Sequence, residues 1–183
     1  MRRLSIKIKN YRCFTDNSPL VIELGQGFTA LVGPNNSGKS SVLKFFYELR
    51  DQWSQLTDPA QILQLLSGGT IGSAFNEVYD QQEVFSDSNV RPMVVEIGRF
   101  VSSANQGGVP RLSHASLTWN RQNAFSGSFK CEPSEAINFP FEKNRYGVHP
   151  NGYIHGPDSQ CAIDTSEFQE VIKQLYRSIY IGP

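Results

Sequence analysis

Leu4, Ile6 and Ile8 alternate with Ser5, Lys7 and Lys9, and this period of two predicts a half-buried strand with its charges on the outer face. The run Leu20-Val-Ile-Glu-Leu24 after Pro19 predicts a second strand. After the Gly25-Gln26-Gly27 turn comes Phe28-Thr-Ala-Leu-Val32, an apolar run expected to be a central buried strand. From Lys39 the chain runs Ser-Ser-Val-Leu-Lys-Phe-Phe-Tyr-Glu-Leu with neither glycine nor proline. Apolar groups on most of its faces predict a helix sandwiched in a core. The unit reads strand, loop, helix.

Asp58-Pro59 has the form of an N-cap followed by proline at the first helical position, which predicts a short helix through Leu66 that ends at Gly68-Gly69. Three strands are expected next, over Met93–Val101, Leu112–Trp119 and Phe125–Cys131, separated by polar turns short enough for an antiparallel meander. The meander is expected to form a small β subdomain beside the core. Pro140, Pro150 and Pro157, with several glycines and asparagines, predict an irregular insertion from Asn138. A last helix is expected from Asp164, where Asp-Thr-Ser-Glu167 has capping-box spacing and Phe168, Val171, Ile172, Leu175 and Tyr176 share a face. A strand is expected at Ser178–Ile181.

The 183 residues suit one medium domain or a lobe with a smaller subdomain. Seventeen basic residues balance seventeen acidic ones, so the net charge does not mark a dedicated nucleic-acid binder. Charge is uneven locally: Arg2, Arg3, Lys7, Lys9 and Arg12 all precede the first acidic residue, Asp16. A solvated strand face and a phosphate-facing one both account for that cluster. Cys13, Cys131 and Cys161 form no CxxC pair, and His114, His149 and His155 have no metal-ligand spacing, so neither a zinc site nor a disulfide framework is expected. No apolar run approaches the roughly 18 residues of a membrane span, and the amino terminus lacks the apolar core of a signal peptide. A cytoplasmic protein with no membrane partner is expected.

Gly33-Pro34-Asn35-Asn36-Ser37-Gly38-Lys39-Ser40 has the form GxxxxGK[ST]. A triphosphate crowds several negative charges together, and such a loop meets them with backbone N–H groups at the positive end of the following helix. Gly33 and Gly38 give the backbone freedom and close approach, Lys39 is expected to reach the β- and γ-phosphates, and the Ser40 hydroxyl to ligate Mg²⁺. Pro34, Asn35, Asn36, Ser37 and Ser41 complete the expected phosphate contacts. The expected cofactors are ATP and Mg²⁺.

Ile8-Lys-Asn-Tyr-Arg-Cys-Phe14, the acidic strand ending Glu23-Leu24, and Leu31-Val-Gly-Pro-Asn-Asn-Ser-Gly-Lys-Ser-Ser-Val-Leu43 together resemble the start of ABC-type ATPases of the SMC, RecF and OLD (overcoming lysogenization defect) group. The Gly-Pro-Asn-Asn-Ser form is most similar to OLD-like proteins, which include effectors of bacterial anti-phage systems. The resemblance is strong over roughly the first 50 residues and a matter of layout beyond them, down to Tyr180-Ile-Gly-Pro183. It implies an α/β P-loop NTPase fold, an ABC-ATPase-like lobe with an antiparallel β subdomain. It also implies a nucleotide contact for Arg12, for which guanidinium chemistry is suited, and a magnesium-sensing role for Gln81 or Gln82. Heads of this kind pair as homodimers or larger oligomers and act in DNA-directed defence or repair with nuclease or effector partners.

Such an ATPase also needs an apolar strand ending Asp-Glu, with Glu orienting the attacking water, and no such strand occurs in the sequence. Nor does Asp-x-Asp, so the complete acidic metal site of a Toprim nuclease is not contained here. Leu66-Ser-Gly-Gly69 spells the first letters of an ABC signature but follows the loop too closely and lacks the next glutamine, so a helix C-cap explains it better. The expectation is therefore the amino-terminal part of a longer ATPase, with no catalytic residue of its own. Its parts are strands, loop and first helix (1–57), a helical connection (58–90), the meander (91–137), the insertion (138–163), and a helix with the start of a strand (164–183). Hydrolysis would need a further half, and a module that binds ATP without cleaving it is the second reading. A GTPase or small-molecule kinase is disfavoured, since no Asn-Lys-x-Asp segment is present.

Overall fold

The computed structural model describes residues 4–25, 31–34, 38–73, 75, 78, 80–98, 109–132, 146–149, 152–156 and 162–177. One largely antiparallel sheet organises them. Strand β1 (Leu4–Lys9) lies between β2 (Leu20–Leu24) and β4 (Met93–Gly98), and β4 pairs in turn with β5 (Arg111–Asn120). Beyond β5 the sheet forks. The long strand β6 (Ala124–Glu132) pairs with most of β5 and carries β3 (Thr70–Gly72), while β9 (Ala162–Asp164) joins β5 in parallel at Arg111 and leads to β8 (Tyr153–His155) and β7 (Gly147–Val148).

Alternation decides which face is buried. The register sets Ile22, Ile6, Ile97, Ala115 and Phe129 in one cross-strand row and Ile8, Val95, Leu117 and Gly127 in the next, with Met93, Trp119 and Phe125 following. Apart from Gly127 these residues form the buried core, whereas Ser5, Lys7 and Lys9 point to the other face, where Lys9 pairs with Glu96 at 2.5 Å. A glycine interrupts the second row because α3 presses on it: a Cβ at Gly127 would lie 2.6 Å from the Phe129 ring and 3.3 Å from Leu65. Four helices cover the apolar face or one another: α1 (Lys39–Glu48), α2 (Arg50–Gln55), α3 (Pro59–Leu66) and α4 (Ser166–Tyr176), with α2 against α4, α3 over β6 and α4 on β5. Trp53 of α2 meets Trp119 of β5 edge to face at 6.1 Å, and Trp119 stacks on Phe125 at 5.0 Å.

Helix α3 follows its sequence closely. Asp58 accepts the Ala60 N–H at 2.9 Å, Pro59 occupies the first turn, and Gly68 at φ 75° ends the helix. The Gly69 N–H reaches the Gln64 carbonyl and the Gly68 N–H the Leu65 carbonyl, both orphan acceptors, in a Schellman arrangement. Leu66-Ser-Gly-Gly69 is thus a helix terminus.

Several expectations are corrected. The meander β4–β5–β6 forms as read, but β4 pairs directly with β1, so the three strands continue the amino-terminal sheet instead of standing beside it. The expected central strand 28–32 is not seen where it is described: Leu31 and Val32 are outside any strand, and Val32 is 92% exposed. Residues 28–30 of that run lie outside the described residues. Helix α1 buries only one face, through Val42, Phe45 and Glu48, and leaves Leu43 exposed, so it is not sandwiched. The insertion contains a short hairpin, β7–β8, and β9 precedes the last helix. No capping box closes α4: Asp164 accepts from the Ser166 N–H, while Glu167 turns to Arg111 at 3.7 Å. The expected strand at 178–181 lies outside the described residues.

Candidate functional site

The first turn of α1 is an uncapped helix start. Gly38, the N-cap residue, holds φ 84° and receives no side-chain hydrogen bond, and no acidic residue stands in the first turn. Gly38 offers no side-chain acceptor of its own, so the positive end of the helix dipole can face an anion. Gly38 is required twice over. Its positive φ disfavours any side chain, and a Cβ there would sit 2.8 Å from the Phe14 ring and 3.1 Å from the Cys13 sulfur. The loop start and the helix thus pack against the segment that follows β1.

Lys39 folds back over the loop. Its Nζ donates to the Gly33 carbonyl at 2.7 Å and also to the Pro34 carbonyl, which holds the ammonium at the mouth of the helix start. Ser40 is exposed in the same turn and Ser41 faces the Cys13 sulfur at 4.0 Å. Asn35, Asn36 and Ser37 lie outside the described residues.

Beside this turn is a cavity of about 600 Å³, bounded by Arg12, Cys13 and Thr15 after β1, Ser41 of α1, and Glu83 and Asp87 of the segment before β4. Its volume falls within the roughly 300–1,000 Å³ of small-molecule sites. The wall built from residues 82–89 is stitched to the segment after β1: the Arg12 N–H donates to the Val84 carbonyl and the Ser86 N–H to the Asn10 carbonyl. Arg121, at the β5–β6 turn, fastens the same wall from outside. It donates to Ser86 O and Asn89 O, both at 3.1 Å, and its guanidinium lies 4.8 Å over the Phe85 ring.

Arg12 has φ 46° and its guanidinium is engaged along one edge. Nη2 pairs with Glu48 Oε1, and Nε donates to Glu48 Oε2 and to the Tyr11 hydroxyl, both at 3.3 Å. The Tyr11 hydroxyl in turn donates to Glu48 Oε2 at 2.6 Å. Burial pushes the Tyr11 phenol's pKa well up, and the Glu48 carboxylate, by its charge and hydrogen bond, raises it further, so the phenol stays a donor. Burial opposes the charge on Arg12, but the Glu48 hydrogen bond and the neighbouring groups outweigh it and raise its pKa.

The residues singled out in the sequence separate into three sets. Arg12, Gly38, Lys39, Ser40 and Ser41 converge on one turn and its cavity, with Gly33 and Pro34 joined to them through Lys39. Gln81 opens the 3-10 helix Gln81–Val84, where its side chain is outside what is described. Gln82 is described, and its Oε1 accepts from Arg121 Nη1 at 2.9 Å. Glu48 and Tyr11 were not anticipated. A signal for Glu48 existed: it falls on the same helical stripe as Val42, Phe45 and Leu49, and a carboxylate on a buried stripe requires a cation.

Among the described residues no group of three or more His, Cys, Asp or Glu is placed to hold a metal. Magnesium needs no such cage, because it keeps most of its shell as water and phosphate oxygens and takes one or two protein ligands. The exposed Ser40 hydroxyl fits that role. No helix among the described residues is long and apolar enough to cross a membrane.

No curated protein matches the sequence. A family model described as an AAA ATPase domain matches residues 1–99, a span from β1 to the end of β4 that holds the loop, α1, Arg12 and the residues lining the cavity. The chain therefore belongs to the AAA ATPase domain family, whose domains bind nucleotide.

Proposed function

We propose that the chain binds Mg·ATP with its phosphates at the amino terminus of α1 and in the adjoining cavity. The observation that carries this reading is the convergence of an uncapped helix start, the Lys39 ammonium and the Arg12-lined cavity on one turn. In that arrangement the N–H groups of Lys39 to Ser41 and the Lys39 ammonium bind phosphate oxygens, Ser40 holds the magnesium, and Arg12 adds a second cation. Magnesium would neutralise phosphate charge when bound. Gly33 and the Asn35–Ser37 stretch would contribute backbone donors, and Gln81 would take the magnesium-sensing role that the family resemblance implies.

The finer reading is the amino-terminal part of an OLD-like ABC ATPase working in a DNA-directed defence or repair complex, supported by the Gly-Pro-Asn-Asn-Ser loop and the Asn10-Tyr11-Arg12 segment. Paired heads, DNA and a nuclease or effector partner belong to that reading. For these 183 residues binding without turnover is the expected behaviour, because the sequence contains no apolar strand ending Asp-Glu to orient water. Titration of the purified chain should give saturable Mg·ATP binding at one site, weaker competition by GTP, and negligible phosphate release. Absent binding would refute the site, and turnover of several per second would refute the second part.

A further inference from the structure

We propose that Glu48 is a positioning residue for nucleotide binding, acting through Arg12. The inference rests on the reading that the cavity takes the triphosphate. Glu48 closes α1 at the end opposite the phosphate-binding turn, 6% exposed, and grips the Nε and Nη2 edge of Arg12 with both oxygens. The Tyr11 hydroxyl adds a third contact to the same carboxylate. A guanidinium carries five donors in a rigid fork, and this grip takes up one edge while no described residue engages Nη1. Arg12 lines the cavity, so a carboxylate that fixes one edge leaves the other to meet a phosphate oxygen with little rotamer freedom left to lose. The same helix carries Lys39, Ser40 and Ser41. Both cations are therefore referred to one rigid element, and their spacing is set before ligand arrives.

A buried carboxylate that only balanced Arg12 would support the fold and nothing more, so the test must read nucleotide binding through Arg12. Mg·ATP affinity is measured on the 183-residue chain for the wild type, Glu48→Gln, Arg12→Lys and the double variant, with thermal melting alongside. Glu48→Gln keeps the shape but loses the charge, and Arg12→Lys keeps the charge but loses the fork. Each should weaken Mg·ATP about tenfold, the usual scale for one well-placed charge-assisted contact. The double variant should be no weaker than the poorer single one, because the two act as a unit. Wild-type affinity in Glu48→Gln, or an equal further loss when it is added to Arg12→Lys, would overturn the proposal. Should Glu48→Gln fail to fold, wild-type affinity in Arg12→Lys would overturn it on its own. The two readings fail differently: a wild-type chain that does not bind Mg·ATP removes the site itself, whereas binding that needs Lys39 but ignores Glu48 removes only this inference.

Discussion

Trp119→Ala should lower the stability of the chain by about 3–5 kcal/mol, the range for removing a fully buried large aromatic. Trp119 is 0% exposed and stands where the layers meet: β5 carries it, Met93 of β4 is its register partner, Phe125 of β6 stacks on it and Trp53 of α2 closes over it. Its removal would open a void that rigid strands on both sides cannot fill, and it would strip the edge-to-face and stacked contacts together. Denaturant unfolding followed by circular dichroism measures the change. A loss below about 1 kcal/mol, the size of a surface change, would mean that the helices do not pack on the sheet in this way. Much of a small domain's stability is at stake, so the variant is best studied at low temperature.

Lys39→Ala should reduce Mg·ATP affinity at least about 100-fold, which corresponds to roughly 3 kcal/mol, while moving the melting temperature little. The binding loss follows from geometry. The ammonium sits at the helix start and donates to the Gly33 and Pro34 carbonyls of the loop. A phosphate can replace those neutral acceptors with charged ones, and charge-assisted bonds are about twice as strong. Stability should change little because the side chain is not part of the buried core. Equal affinity in the variant and the wild type would contradict the site, and a large fall in melting temperature would show that Lys39 holds the loop together instead.

Much of this was legible in the chain before any coordinates. The alternation at Leu4, Ile6 and Ile8 sets one face of β1 because a pleated strand has a side-chain period of two, and those residues indeed face the core. Asp58-Pro59 and Gly68 mark α3 because caps act through neighbouring backbone groups, so local sequence suffices. What failed was non-local. Apolar character in 28–32 specifies a wish to be buried but not a strand to pair with, and the described end of that run, Val32, is exposed. The spacing Asp164 to Glu167 satisfies a capping box, yet Arg111, brought alongside by the parallel contact of β9 with β5, attracts both side chains instead.

The site divides along the same line. The glycine-rich loop was readable because a phosphate cradle needs glycine, lysine and serine at fixed spacing, and α1 does begin at Lys39 behind a left-handed Gly38. The cavity was not readable, since it is made by joining residues 12–15 to residues 83–88 through bonds such as Arg12 N–H to Val84 O and Ser86 N–H to Asn10 O. Glu48 lies 36 positions from Arg12 and 37 from Tyr11, and they meet because α1 packs on the segment after β1, with Phe45 edge to face against Tyr11 at 5.5 Å. Gln82 shows the converse. A glutamine in the right interval of sequence is taken up by Arg121, which arrives from the far end of β5.

The thiols offer the most direct test that nucleotide occupies this cavity. Cys13 is exposed on the cavity wall beside Ser41, whereas Cys131 is buried in the core, with burial alone pushing its pKa up to about 12. Alkylation by iodoacetamide at neutral pH, read cysteine by cysteine by peptide mass spectrometry, should modify Cys13 and spare Cys131, because the thiolate is the reacting form. Saturating Mg·ATP should slow the reaction at Cys13 several-fold in the wild type and leave it unchanged in Lys39→Ala. An unaltered rate at Cys13 in a wild-type chain shown to be saturated with Mg·ATP would place the nucleotide elsewhere and contradict the account.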